Sequence, residues 1–171
     1  MAKKEHYVDN KKFLEAMIEY IDKVKLAEKE NKPKPKISNY IGECFMKIAE
    51  HYSHKPNFIK YPFRDEMISD AIETCVRYSH NFNYEKYSNP FSYFSQFTFY
   101  AFLRRIDIEK EEFYIKCKST EMAGVLHEMD SDGESDGNFK QFEHYDNIAE
   151  FIDKFEKSKK SKKNKILEEV V

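Results

Sequence analysis

The stretch that decides the fold is residues 89–106, NPFSYFSQFTFYAFLRRI. Eight of the sixteen residues from Tyr87 to Phe102 are aromatic, which is more aromatic surface than one helix needs to join a core. Ser88 and Asn89 can cap a helix that has Pro90 at its first position, where the missing N–H is not needed. The stretch therefore predicts a helix with an unusual second use for its rings.

A projection at about 100° per residue divides this helix into two faces. The expected core face carries Phe99, Phe102, Leu103 and Ile106. The opposite face carries Tyr93, Phe94, Phe97, Tyr100 and Arg104. Four members of the second set lie on one stripe at i, i+4, i+7 and i+11. Exposed rings beside an arginine are typical of surfaces that stack unpaired nucleic-acid bases, and the alternative is a helical core with surplus aromatics.

Three more helices precede this one. Apolar residues at helical spacing predict a helix over Asn10–Glu30, and a second begins after the capping residue Ser38. A third covers Arg64–Ser79, and the aromatic helix has no breaker before Lys118. The run Lys32-Pro33-Lys34-Pro35-Lys36 separates the first two as an extended basic linker. The sequence predicts an all-α fold of about four helices.

The expected organisation is one helical domain and a tail. The domain spans residues 1–120, an acidic flexible linker spans 121–147, and residues 148–171 form the end of the chain. That end contains a short amphipathic helix at Ile148–Phe155, a lysine-rich spacer and a hydrophobic terminus. Seven acids between Glu128 and Asp146 face one lysine, whereas six lysines between Lys157 and Lys165 face no acid.

Composition favours a helical intracellular protein. The 171 residues include 4 glycines, 35% charged residues and an odd number of cysteines, 3 in all, which argues against a disulfide framework. No signal peptide or membrane span is evident, so the cytosol is the expected compartment. A net charge of -2 argues against a protein that grips duplex DNA unaided.

Catalysis is not indicated. Four scattered glycines cannot build a phosphate-binding loop, and no nucleophile–base pair stands out. Cys44, His51 and His54 match no usual zinc spacing, so surface histidines are the favoured interpretation over a metal-dependent enzyme. We expect neither a cofactor nor a bound metal.

Several short motifs resemble, in order and spacing, region 2 of bacterial sigma factors, the promoter-opening subunits of RNA polymerase. They are DEMISDA at 65–71, HNFN at 80–83, FSYFSQF at 91–97 and RRI at 104–106. EMISDAIE at 66–73, KY at 86–87 and NP at 89–90 are similar to the late-transcription sigma factors of T-even-type bacteriophages. The resemblance covers about two thirds of the chain. It implies a compact helical region-2-like domain with a flexible C-terminal tail.

The resemblance implies a specificity subunit that is not an enzyme. Such a subunit binds core RNA polymerase and recognises and melts a short A/T-rich promoter element just upstream of the start site, holding mainly the non-template strand. The alternative is an all-helical polymerase-binding adaptor or anti-sigma-like regulator that does not contact DNA. The free protein is expected to be monomeric in the host bacterial cytosol. The family also suggests a sliding clamp and a coactivator as partners.

Site residues follow from the same resemblance. The acidic helix would dock on the clamp coiled coil of the largest polymerase subunit through Glu66, Ser69, Asp70 and Glu73. On composition alone, a solvated acidic face is the preferred reading of those four. An adenine pocket would be lined by Phe82, Asn83, Phe94 and Phe97, with Phe91 and Tyr93 nearby. The upstream edge of the promoter element and its phosphates would face Tyr100, Arg104 and Arg105.

The chain departs from the family in two respects. It has no tryptophan, and Phe97 and Thr98 stand where primary sigma factors wedge a tryptophan pair at the fork. It also lacks a helix-turn-helix region for an upstream promoter box. The hydrophobic end would bind the flap of the second-largest subunit through Ile166, Leu167, Val170 and Val171. Ile148–Phe155 competes for that role, and a tail without function is the other alternative.

Overall fold

The computed structural model describes residues 6–122 and 148–161 of the chain. The helices are α1 (Asn10–Lys29), α2 (Asn39–Ser53), α3 (Arg64–Tyr78) and α4 (Pro90–Met122), and α5 covers residues 148–161. A short 3₁₀ turn, Ser79–Asn81, follows α3. The described ranges contain no β-strand, so the all-α prediction is confirmed.

Side-chain caps fix the starts of the first two helices. Asp9 Oδ1 accepts the backbone N–H of Lys11 at 3.0 Å at the start of α1. Ser38 Oγ accepts the N–H of Ile41 at 3.4 Å, which confirms the predicted cap of α2. These oxygens satisfy amide groups that have no partner within the first turn of a helix.

Two clusters of buried side chains form the core of residues up to Ile106. In the first, the ring of Phe94 packs on Phe13 of α1 and Phe45 of α2, with centroid distances of 5.8 and 4.6 Å. In the second, Phe102 packs edge-on against Phe58 with ring centroids 5.1 Å apart. Helix α4 therefore supplies the central ring of one cluster and a large ring of the other.

The predicted division of α4 into two faces is wrong at two positions. Phe94, expected on the outer face, is 0% exposed, and Leu103, expected in the core, is 39% exposed. The buried side chains follow a stripe between the two expected faces: Phe94, Thr98, Ala101, Phe102 and Ile106. Because apolar residues occur on every side of this helix, spacing alone could not show which stripe α1 and α2 would cover.

Residues from Asp107 onward belong to a second compact unit, so α4 crosses the boundary between the units. In this unit α5 packs on the second half of α4, with Tyr114 stacked on Phe155 at 4.7 Å and Phe113 against Phe151 at 4.8 Å. Tyr114 Oη donates to Glu156 Oε1 at 2.9 Å. The amphipathic segment predicted at Ile148–Phe155 is helical and continues to residue 161.

Candidate nucleic-acid interface

One stripe of α3 joins that helix to α4. Its members are spaced one helical turn apart: Asp70, Thr74 and Tyr78. Their respective partners on α4 are Arg105, Arg104 and Phe97. The contacts change along the stripe from a carboxylate ion pair to a hydroxyl hydrogen bond and then to a pair of rings. They hold the two helices together from Phe97 to Arg105, the second half of the aromatic run.

A groove of about 460 Å³ lies between α3 and α4. We call it the α3–α4 groove, and its lining is Thr74, Tyr78, Gln96, Phe97, Tyr100, Ala101 and Arg104. Tyr100 is 58% exposed, so one wall can be reached freely from solvent. Flat rings, an amide and a guanidinium are groups that can stack on a base, hydrogen-bond its edge and contact a phosphate.

A row of rings continues from this groove toward the start of α4. The aromatic row consists of Tyr78, Phe97, Tyr93 and Tyr87. Successive ring centroids are 6.0, 4.9 and 5.5 Å apart in that order. Both end members are exposed and the two middle members are half-buried. The row is therefore anchored in the core and has accessible rings at both ends.

Tyr93 keeps its hydroxyl proton at neutral pH. Burial, with the neighbouring Tyr87 as a smaller cause, raises the pKa of Tyr93 above its usual value. A neutral phenol can donate a hydrogen bond and does not repel a phosphate. Tyr93 is thus suited to contact an anionic strand.

The proposed adenine pocket needs correction, because two of its four members are inside the core. Phe82 and Phe94 are fully buried, and their ring centroids are 5.9 Å apart. Removing a large aromatic side chain from a core costs about 3–5 kcal/mol, more than the roughly 1–3 kcal/mol that stacking on one base returns. They support the exposed rings from beneath and do not reach a base.

Asn83 and Phe97 remain at the surface. Asn83 is exposed, and its Oδ1 accepts the backbone N–H groups of Glu85 at 2.9 Å and Lys86 at 3.3 Å. This turn places Tyr87 at the end of the aromatic row. Phe97 is half-buried and Thr98 is fully buried, so only Phe97 of that pair is available as a wedge.

The two consecutive arginines have different surroundings. Arg104 is exposed, and its Nη2 donates to Thr74 Oγ1 at 3.1 Å on the rim of the α3–α4 groove. Arg105 is half-buried and binds Asp70 with both arms, at 2.7 and 2.9 Å. Of the pair expected to face phosphates, Arg104 is in position, whereas Arg105 is engaged in an ion pair within the fold.

Phe91 lies in another groove, on the α2 side of α4. This α2–α4 groove has a volume of about 560 Å³, and its lining is Tyr7, His51, Tyr52, Lys55, Phe91, Ser92, Ser95, Gln96 and Phe99. Ser95 Oγ is buried in the wall with no hydrogen-bond partner. Gln96 lines both grooves, so it occupies the ridge between them.

The acidic surface expected to bind a partner is smaller than the sequence implied. Glu66 and Ser69 are exposed, and Glu73 is exposed but paired with Arg77. Asp70 faces Arg105 and is mostly covered. Glu66 is therefore the acidic member of the predicted set that is both exposed and without an ion-pair partner among the described residues.

Sequence reasoning missed five residues of the α3–α4 groove or the aromatic row: Thr74, Tyr78, Tyr87, Gln96 and Ala101. Tyr78 carried a usable signal, since Asp70, Thr74 and Tyr78 repeat at i, i+4 and i+8 on α3. Tyr87 belongs to the aromatic run and to the KY motif at 86–87, but neither feature predicted a contact for it. Gln96 carried no signal, because an exposed glutamine on a helix is ordinary.

Two predictions remain, one on metal binding and one on the polymerase flap. Among residues 6–122 and 148–161, no group of three or more His, Cys, Asp and Glu side chains could hold a metal ion. His51 stacks on Tyr7 at 3.9 Å, and Arg64 donates to His54 Nε2 at 3.0 Å.

The aromatic side chains of Ile148–Phe155 pack against α4. Ile166, Leu167, Val170 and Val171 lie outside the described residues.

No protein-family model matches this sequence, and no curated protein is significantly similar to it. The helices that the structure describes include none that is both long enough and apolar enough to cross a membrane.

Proposed function

We propose that this protein is a phage-type late-transcription sigma factor, which recruits core RNA polymerase and holds open a short A/T-rich promoter element. The observation that carries the proposal is the exposed aromatic row beside the α3–α4 groove, with Arg104 on its rim. The motif resemblance supplies the class of partner, a core RNA polymerase, and the class of DNA element, a short A/T-rich promoter element.

The number of rings fits the energetics of strand opening. Unstacking and unpairing a base costs a few kcal/mol, and each base stacked on a protein ring returns roughly 1–3 kcal/mol. One ring cannot hold a melted strand, whereas the exposed rings of Tyr78, Tyr87 and Tyr100 together can offset the opening of more than one pair. Arg104 adds an attraction to the strand's phosphates that does not depend on sequence.

The charge of the chain supports a role as a subunit. A net charge of -2 gives weak attraction to duplex DNA, so most of the affinity must come from a partner that already holds the DNA. The exposed Glu66 on α3 offers a contact to a basic polymerase surface. Such a contact sets orientation and encounter rate more than affinity.

The proposal is tested by opening of a supercoiled A/T-rich late promoter in the presence of bacterial core RNA polymerase. Permanganate reactivity of unpaired thymines reports the opening. We expect reactive thymines with the wild-type protein and at least about a tenfold loss with Tyr100→Ala, since one stack of about 1.4 kcal/mol corresponds to a factor of ten. Phe113→Ala removes an exposed ring of the second unit and is the matched control. Absence of opening with the wild-type protein would contradict the proposal.

Polymerase binding is tested separately on α3. We expect Glu66→Lys to weaken the complex with core polymerase, because it reverses an exposed charge on the docking face. Glu15→Lys on α1 makes the same charge change at another exposed glutamate and should leave binding unchanged. An adaptor without DNA contacts would show the Glu66 effect and no effect of Tyr100→Ala on opening.

A further inference from the structure

The link between α1 and α2 forms a basic surface that has no role in the proposed function. Its lysines are all exposed: Lys29, Lys32, Lys34 and Lys36. Glu30 is the single acid among them and pairs with Lys32 at 2.7 Å. An exposed pair of this kind contributes little and can exchange for another anion. The link therefore presents a local excess of positive charge on a chain whose net charge is -2.

The path of this link is fixed at both ends. Helix α1 ends with Asn31 in the left-handed region at φ 52, and Lys32 N–H donates to Ala27 O at 2.8 Å. Asn31 N–H donates to Glu28 O at 3.3 Å, which completes a Schellman motif. At the other end Ser38 caps α2. The lysines thus leave α1 in a defined direction.

The prolines keep the link extended between these ends. Pro33 and Pro35 have fixed φ angles, and a residue that precedes proline is driven out of the helical region. Residues 33–38 accordingly form neither helix nor strand. At about 3.1 Å per residue in such a conformation, alternate lysines are roughly 6 Å apart along the link. Their long flexible stems allow several ammonium groups to reach neighbouring phosphates of one backbone.

The surroundings favour nucleic acid over a protein partner. Protein interfaces depend on a few buried apolar or aromatic anchors. The link offers none, because Ile37 is half-buried against the core and residues 32–36 are only lysine and proline. A phosphate backbone requires only cations, and its binding releases condensed counterions.

The last turns of α1, which lead into the link, contact the loop between α3 and α4. Lys25 Nζ donates to Tyr84 Oη at 3.3 Å, and Tyr84 Oη donates to Asp22 Oδ1 at 2.9 Å. These contacts hold the last turns of α1 against the loop that carries Tyr87. Lys29, at the start of the basic link, is one helical turn beyond Lys25.

We propose that the Lys32–Lys36 link binds phosphates of double-stranded DNA without regard to sequence. That the link lies beside a strand held on the aromatic row rests on the proposed function. Its affinity for double-stranded DNA does not. The link would grip the paired DNA that flanks the opened segment.

The test is the salt dependence of duplex binding by the full-length protein alone. Three neutralised lysines, in the variant Lys32→Gln/Lys34→Gln/Lys36→Gln, should reduce the slope of log K against log salt by about 2–3, at about 0.9 for each phosphate contact. The matched control Lys11→Gln/Lys12→Gln/Lys23→Gln removes equal charge from exposed positions on α1. An equal loss in both variants, or no loss in the first, would overturn the inference.

Two further arms separate this inference from its alternatives. Tyr100→Ala should retain the duplex slope. If the wild-type protein opened no promoter with core polymerase while its duplex slope stayed intact, the result would count against the proposed function alone. Polyglutamate replaces DNA in the second arm. If the lysines governed binding to polyglutamate and left duplex binding unchanged, the link would belong to an acidic protein partner and the inference would be wrong.

Discussion

Arg104 and Arg105 are adjacent in sequence, yet their side chains have different hydrogen-bond partners. Arg104 lies on the rim of the α3–α4 groove with a single hydrogen bond to Thr74, whereas Arg105 binds both carboxylate oxygens of Asp70. A bidentate pair that is mostly shielded from solvent stabilises the fold more than an exposed contact does. The sequence shows two arginines at the end of a helix, and only the packing of α3 distinguishes them.

Arg105→Ala should lower the free energy of unfolding by about 1–3 kcal/mol, since it leaves Asp70 partly buried without its strongest partner. Arg104→Ala should have a smaller effect, because its side chain is exposed. Arg105→Lys keeps the charge but loses the two-armed geometry, so it should fall between the two. Urea denaturation measures all three variants. Equal stabilities of the two alanine variants would contradict the assignment.

Burial of Cys75 makes stability depend on pH in the alkaline range. Burial raises the pKa of the Cys75 thiol from 9.0 to about 12. The folded protein therefore retains a proton that the unfolded chain releases above about pH 9, and folding weakens as pH rises from there toward 12. Denaturation at pH 8, 9 and 10 should show this decline, and Cys75→Ala should make it shallower. An unchanged slope in the variant would assign the decline to other groups, such as Tyr40.

At the scale of elements, α4 depends on two asparagines at its start. Asn89 Oδ1 accepts the N–H of Ser92 at 2.9 Å, and Asn10 Oδ1, from α1, accepts the N–H of Phe91 at 3.2 Å. The first bond is a cap from the residue just before α4, and the second bond connects α4 to α1. Together they satisfy amide groups next to Pro90, where the aromatic run begins.

Asn89→Ala should reduce the free energy of unfolding by about 1 kcal/mol, the usual value of a lost N-cap. Asn89→Asp keeps an acceptor oxygen at the same place and should retain most of the stability. Thermal or urea unfolding of both variants provides the measurement. If the aspartate variant lost as much as the alanine variant, the cap would not be the cause.

The helices themselves could be predicted from the sequence, and the orientation of α4 could not. Periodicity and caps place both ends of α1 and α3, and the start of α2, within one residue of their observed positions. The same reasoning placed Phe94 outside and Leu103 inside, because apolar residues occur all round the helix and do not mark which side faces solvent. Tyr78 was missed for a related reason. Its partner Phe97 is on another helix, and a single sequence does not show which helices meet.

At the scale of the molecule, the chain consists of two compact units, and the proposed sites lie in one of them. Residues up to Ile106 contain the aromatic row, the α3–α4 groove and the basic link. Residues from Asp107 contain the pairing of α4 with α5, in which Lys159 binds Glu111 at 2.5 Å and Cys117 is buried. The proposed DNA contacts all belong to the first unit. The second unit supplies positions for control variants such as Phe113→Ala.

The most direct test of the central claim is site-specific photocrosslinking in a complex of full-length protein, bacterial core polymerase and an A/T-rich late promoter. A photoreactive phenylalanine analogue is placed at Tyr100, and the same analogue at Phe113 is the control. The account predicts a crosslink from position 100 to the non-template strand within the melted segment, and none to DNA from position 113. A complex that binds polymerase but crosslinks to DNA from neither position would contradict the claim that α4 holds the opened strand.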